Sequence, residues 1–351
     1  MKILFVVIAI VVVIVGIAGW SFWQQMQAPL YRPGMVRAGK NLTAPLTPAA
    51  QSVEAEGEWE VEPGIRLHYF TQGQGRNVLV IHGGPGMPFT APLAGLKPFE
   101  DRYRFVYYDQ RGCGESTRPI DRFDSKNVYQ NMLALDKSLG LGAQIADIER
   151  IRQILGEDKL ILIGHSWGGF LASLYAAEFP EHVQDLILVS PATSLVMPQP
   201  KGIEDLFATV RTRLPEDQLA GYDALMKEYL NFNALFQKSD QDLVGLGNRF
   251  GDYYRVASAH PMPEQGKPGG WMVWAMYVSL GQRHDYRPAL ETVQAPVLVL
   301  HGDQDLQSKA ASHMYAETFP NARFVVIPNA GHNSFLDQPD QFAAAVQDLL
   351  R

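Results

Sequence analysis

From residue 78 onward the chain keeps returning to one pattern: four apolar residues in an unbroken run, followed by polar or helically spaced sequence. The runs at 78–81, 105–108, 160–163, 186–189, 297–300 and 324–327 contain only Val, Leu, Ile, Phe and Tyr. A strand with one wet face alternates polar and apolar residues, whereas a run apolar at every position is buried on both faces. Helical spacing separates several runs. In "AQIADIERIRQILG" the stripe Ile145, Ile148, Ile151 and Leu155 ends at Gly156, and Gly is a usual residue just past a helix. "FLASLYAAEFP" and "QFAAAVQDLL" repeat the theme. Two earlier runs, 59–61 and 65–70, flank Glu62-Pro63-Gly64 and read as a hairpin. The expected architecture is therefore α/β, with a mostly parallel eight-stranded sheet, an antiparallel start and helices on both faces.

Strand signals stop between about 193 and 288 and aromatic residues accumulate there, including Tyr222, Tyr229, Phe232, Tyr254, Trp271 and Trp274. This insertion after the sixth strand is expected to be a helical cap. It would cover the C-terminal edge of the sheet, where open α/β sheets bind ligands. The core is then 58–192 together with 289–351, and the cap 193–288.

The start of the chain has another character. "MKILFVVIAIVVVIVGIAGWSFW" carries no charge from Ile3 to Gly19 and ends in Trp20, Phe22 and Trp23. As a helix it is long enough to span a bilayer, with the aromatics at the interface. A cleaved signal peptide is the rival reading, disfavoured by the length of the run and the lack of an A-x-A-like site. Residues 1–23 are thus expected to be a transmembrane anchor and 24–57, rich in Pro, a linker. The expected localisation is single-pass in the membrane. Arg32, Arg37 and Lys40 after the span argue for a cytoplasmic catalytic part, and the short leading tail for an extracytoplasmic one; the second is preferred.

Several function classes are disfavoured. A net charge of −7 argues against a phosphate-backbone partner. No phosphate loop, dinucleotide fingerprint, zinc spacing or EF-hand loop occurs, so neither metal nor cofactor is expected. The single cysteine, Cys113, cannot form an internal disulfide.

What carries chemistry is "KLILIGHSWGGFLASLYAAEFP". Gly164-His165-Ser166-Trp167-Gly168 fits G-x-S-x-G between a buried strand and a helix, the turn that exposes a nucleophilic Ser Oγ. The serine needs a general base, and the base an orienting acid, expected later in the chain with the acid first. "VLVLHGDQDLQS" offers Asp303 and Asp305 just past a strand, and "FVVIPNAGHNSF" offers His332 past the next. His313 competes only from an ordinary helical position. The oxyanion needs two N–H donors: Trp167, directly after the serine, and Gly84 in "VIHGGPG", where an unbranched residue can aim its N–H inward.

"HGGPG" at 82–86, "YYDQRGCGES" at 107–116, "GHSWGG" at 164–169, "GDQD" at 302–305 and "GH" at 331–332 occur in order. Together they resemble the proline iminopeptidase group of the α/β hydrolases, over about residues 58–351. The resemblance implies an α/β-hydrolase fold and a Ser166–His332–Asp305 triad, choosing Asp305 over Asp303. It also implies an oxyanion hole from Gly84 and Trp167, a helical cap, and release of N-terminal proline from peptides without a metal or cofactor. Asp109 and Arg111 would bridge loops behind the site, with Cys113 a packed thiol.

One departure matters. Family peptidases carry W-x-x-W-E in the cap, the glutamate receiving the substrate's amine. Here "WMVWA" supplies Trp271 and Trp274 as substrate-binding candidates but Ala275 in place of the acid. An ammonium buried without a carboxylate is costly, and Glu204, Glu228 or Glu264 would have to substitute. Two readings follow: an aminopeptidase on small peptides, or a carboxylesterase or other acyl hydrolase on neutral substrates. A binding module that has lost catalysis fits poorly with the full set of reactive residues. Dehalogenase chemistry conflicts with a serine, not an aspartate, at the turn.

Overall fold

A computed structural model describes residues 27–51 and 56–350. Eight strands form one sheet: β1 (Glu58–Glu62), β2 (Ile65–Gly73), β3 (Arg76–Ile81), β4 (Tyr103–Tyr108), β5 (Leu160–His165), β6 (Val183–Val189), β7 (Val297–Gly302) and β8 (Ala322–Ile327). Their order is β1-β2-β4-β3-β5-β6-β7-β8. β2 pairs antiparallel with β1 and β4, and every other pairing is parallel.

Alternating side chains of the buried runs feed two separate cores. Val78 and Val80 of β3, with Ile161 and Ile163 of β5, enter the core beneath the C-terminal helix. Leu79, Ile81, Leu160 and Leu162 enter the larger core on the opposite face. That larger core contains α1 (Val128–Leu139), α2 (Leu141–Leu155) and α3 (Trp167–Glu178). This division explains why the runs in β3 to β7 are apolar at every position; the run in β8, at the sheet edge, is only partly buried, with Val326 exposed.

Between β6 and β7 the chain leaves the sheet for α4 (Leu206–Arg213), α5 (Glu216–Tyr229), α6 (Asp240–Ala257) and α7 (Trp271–Leu280). A two-residue antiparallel pair, Val196–Met197 against His284–Asp285, ties the two ends of the insertion together. Sequence reasoning missed this pair, because two residues are too few to show a period. A small apolar cluster of Val210, Leu214, Tyr222, Tyr254 and Ala257 packs the insertion onto Leu306 of the core. α8 (Lys309–Thr318) and α9 (Pro339–Val346) complete the described helices used below.

The transmembrane helix expected at residues 1–23 lies outside the described residues. Among the described residues no helix is long and apolar enough to cross a membrane. The most apolar, α7, has 10 residues, about 15 Å against the roughly 30 Å of a bilayer core. The longest, α6 with 18 residues, carries Asp240, Asp242, Arg249, Asp252 and Arg255. The fold is accordingly corrected to an α/β-hydrolase sheet with a helical insertion, with no membrane-spanning helix among the described residues. The single-pass localisation, the membrane partner and the extracytoplasmic placement are withdrawn with it.

The described part of the stretch read as a linker is packed. Tyr31 and Val36 are buried, and the Leu30 N–H donates to Ser279 O at 2.9 Å. The Glu178 carboxylate at the end of α3 accepts from Tyr31 Oη at 3.0 Å and from the N–H groups of Gly34 at 2.8 Å and Arg37 at 3.1 Å. Further along, Asn41 donates to Asp136 at 2.6 Å and Arg150 to Pro45 O at 2.8 Å. Pro-rich composition describes a chain without regular structure, which is not the same as one without contacts.

Candidate active site

Ser166 stands between β5 and α3 with φ 53° and ψ −119°, a backbone region costly for any residue with a Cβ. The conformation is held by Ser166 N–H donating to Val189 O at 2.8 Å. Ser166 O in turn accepts from Gly169 N at 2.9 Å and Ala192 N at 3.0 Å. Two glycines allow the bend. A Cβ on Gly164 would lie 2.4 Å from Gly168 O, and one on Gly168 only 2.1 Å from Ile81 O. The turn is thereby pressed against the end of β3. The loop that follows β3 covers it, since a Cβ on Gly83 would meet Ser166 Cβ at 2.8 Å.

β7 and β8 run side by side, Val297 opposite Ala322 through Gly302 opposite Ile327, so the turns after them emerge together. Asp305 follows one and His332 the other. His332 Nδ1 lies 2.9 Å from Asp305 Oδ2 and 3.1 Å from Oδ1. Burial pushes the Asp305 pKa up, but the His332 charge and hydrogen bond, with help from His301 and the Gln307 N–H, outweigh it and hold the carboxyl at about 2. Asp303, the other candidate acid, accepts from Ala330 N at 3.3 Å and braces the neighbouring loop instead.

His332 is also fixed through its backbone: His165 Nε2 donates to His332 O at 3.0 Å. Burial drives the His165 pKa down to about 3, so the ring is neutral. His165, at an unspecified position of the motif, is thus a brace between the two loops.

Ser166, Asp305 and His332 are therefore brought together. A fourth residue, absent from the sequence reading, joins them. Gln307 Nε2 donates to Ser166 Oγ at 3.1 Å and lies 3.4 Å from His332 Nε2. Its backbone N–H donates to Asp305 Oδ1 at 2.9 Å. The signal for it was positional: a residue two past the aspartate must follow a backbone wrapped around the carboxylate.

Of the residues proposed as oxyanion donors, Trp167 follows the serine directly and Gly84 follows Gly83, which packs against Ser166. Trp167 opens α3, so its N–H has no intrahelical acceptor. Gly84 has φ +116°, and a Cβ there would lie 2.7 Å from Gly86 N. His82 fixes this loop from behind, with Nδ1 2.9 Å from Gly83 O and Nε2 accepting from Gln110 N at 3.1 Å. Burial brings its pKa down to about 4. Arg111 Nε donates to Asp147 at 2.6 Å and its Nη1 to Glu62 at 3.0 Å, all three buried. The Asp109 carboxylate accepts from Glu115 N at 2.9 Å. Burial raises the pKa of the Cys113 thiol, the opposite of an activated nucleophile.

The insertion closes over this ensemble. Ser166 is 4% and His332 9% exposed, and the Tyr254 ring lies 6.2 Å from that of His332. Trp271 and Trp274 are both buried in aromatic packing, Trp271 4.9 Å from Phe123 and 5.5 Å from Phe236, Trp274 4.9 Å from Tyr229. Ala275, the residue after Trp274, is fully buried. Of the substitute acids, Glu228 pairs with Arg249 at 2.8 Å and Lys238 at 3.3 Å, and Glu264 is exposed. Glu204 accepts from Ser308 Oγ, which lowers its pKa, and so stands one residue from Gln307.

The chain belongs to the α/β hydrolase fold family, whose pattern matches residues 76–339. Within it the chain falls in the proline iminopeptidase-like group and is a hydrolase. A proline iminopeptidase of Lactobacillus helveticus is 26% identical over 289 residues, covering 78% of this chain and 89% of that protein. One from Heyndrickxia coagulans is 27% identical over 292 residues, covering 79% and 91%. Among solved structures, an esterase from Exiguobacterium antarcticum is similar with TM-score 0.56 and 18% identity, over 82% of this chain and 96% of that one. These structures show the common fold.

Proposed function

We propose that this hydrolase is a serine hydrolase working through an acyl-enzyme, and that it removes an N-terminal proline or other small residue from short peptides. The observation that supports the mechanism is the His332–Asp305 pair standing close to Ser166, with Gln307 Nε2 3.1 Å from Ser166 Oγ and 3.4 Å from His332 Nε2. Asp305 holds the Nδ1 proton of His332, leaving Nε2 as the base. Nε2 takes the Ser166 proton while Oγ attacks the substrate carbonyl carbon. The resulting oxyanion is received by the N–H groups of Trp167 and Gly84. The C–N bond then breaks, the leaving amine takes the proton from Nε2, and water attacks the acyl-Ser166 by the reverse sequence. Trp271 and Trp274 supply buried aromatic packing in α7.

A second reading, a carboxylesterase for neutral acyl groups, is favoured by Ala275, which leaves no acid where family peptidases place one. A comparison of proline arylamide, its N-acetylated form and short-chain aryl esters separates the two. The peptidase reading expects turnover of the free-amine compound to fall when the amine is capped. Equal turnover of capped and free compounds contradicts it.

A further inference from the structure

The Gln307 side chain is 9% exposed, and its Oε1 is buried with no hydrogen-bond partner among the described residues. Its orientation follows from its neighbours. With Nδ1–H directed at Asp305, His332 Nε2 carries a lone pair, so the amide atom 3.4 Å from it has to be a donor. That atom is Nε2, which also donates to Ser166 Oγ. Oε1 is left as an acceptor without a donor, bonded through one carbon to a nitrogen that touches the nucleophile. Buried acceptors are ordinarily paired, and an unpaired one at a reaction centre calls for a ligand. Tyr254, from the insertion, likewise holds its hydroxyl buried and unpartnered beside His332.

We propose that Gln307 is a specificity-determining residue: its Oε1 accepts an N–H carried by the acyl portion of the substrate, next to the scissile carbonyl, while its Nε2 orients Ser166 Oγ. This rests on the serine-hydrolase reading. In a near-attack complex the carbonyl carbon sits about 3 Å from Oγ. A nitrogen two bonds from that carbon, as in an aminoacyl group, then comes within hydrogen-bond reach of an oxygen on the amide that already contacts Oγ. An acyl group with a methylene in that place leaves Oε1 unpaired. Sites built around a hydrogen-bond partner reject analogues that lack it, because the protein's own polar group is stranded. Gln307 is neutral, so it can accept from an uncharged amine or amide as well as from an ammonium, and its hydrogen bond to an uncharged donor does not require the acid missing at position 275.

The test compares proline 4-nitroanilide with the 4-nitroanilide of cyclopentanecarboxylic acid, the same ring with CH₂ for N–H. Each is assayed with wild type, Gln307→Leu and Gln307→Glu, after checking Tm, and every protein is labelled with a fluorophosphonate. The inference expects wild type to prefer the proline compound. Gln307→Leu should lower that preference in kcat/KM by roughly tenfold or more, and Gln307→Glu, which retains an acceptor, should keep more of it. An unchanged preference in Gln307→Leu with Ser166 still labelled overturns the inference alone. Wild type that is not labelled at Ser166 overturns the serine-hydrolase reading together with it.

Discussion

His332 Nδ1 lies 2.9 Å from Asp305 Oδ2, and both groups are buried at the adjacent ends of two parallel strands. The carboxylate can only accept, so it fixes the Nδ1–H tautomer and leaves Nε2, which Gln307 Nε2 approaches to 3.4 Å, with the lone pair a base needs. Asp305→Asn keeps the shape but offers Nδ1 an N–H donor, which favours the opposite tautomer. Steady-state kinetics should show kcat lower by about four orders of magnitude, with Tm and KM much less affected. A loss of less than tenfold would take Asp305 out of the mechanism.

Stability toward acid should be set first by histidines held neutral. His82, at about 4, and His165, at about 3, have folded pKa values below the ordinary 6.5 because both are buried. An unfolded chain therefore binds more protons than the folded one below about pH 6.5, and stability falls as pH drops toward 4 and 3. For His82 alone the cost is of order 3 kcal/mol. Asp305 acts in a lower window: its contribution is intact above its ordinary 3.8 and is lost as pH falls through about 2. Urea unfolding at pH 7.5, 5.5 and 4.5 should give a steadily falling free energy. His82→Asn should have a shallower slope, and an identical slope would refute the assignment.

Glu178 anchors the segment before β1 through one carboxylate that receives a phenol and three backbone N–H groups. Removing the acceptor strands several buried donors at once. Glu178→Ala should cost about 3 kcal/mol and make residues 30–40 sensitive to protease. Activity per folded molecule should hold, because Glu178 ends the helix that Ser166 begins. Unchanged proteolysis would mean the segment is held elsewhere.

Strands β3 to β7 were legible because burial on both faces leaves unbroken apolar runs, whereas β1 and β2 were read as a hairpin around Glu62-Pro63-Gly64 and the edge strand β8 keeps an apolar run although Val326 is exposed. Ser166, Asp305 and His332 were legible because each follows such a run. Gln307 was not, since its role depends on where its amide lands in space. His165 was not, because its partner is a backbone carbonyl 167 residues away. Trp271 and Trp274 were found as motif positions, yet their rings sit among Phe123, Phe236 and Tyr229. A motif marks where a residue lies and leaves open which neighbours surround it. The stretch from Leu30 to Pro45, read as part of a linker, is packed by partners distant in sequence, Glu178, Asp136, Arg150 and the Ser279 carbonyl, which leave no periodicity to read.

The central claim is that Ser166 is the nucleophile, and intact-protein mass spectrometry after fluorophosphonate treatment tests it most directly. Wild type should gain one phosphonyl group, mapped by peptide analysis to residues 160–180, with hydrolysis lost in step. Ser166→Ala should gain none, lose hydrolysis, and retain the wild-type circular dichroism spectrum. Labelling of Ser166→Ala equal to wild type, or hydrolysis persisting near the wild-type rate in that variant, would contradict it.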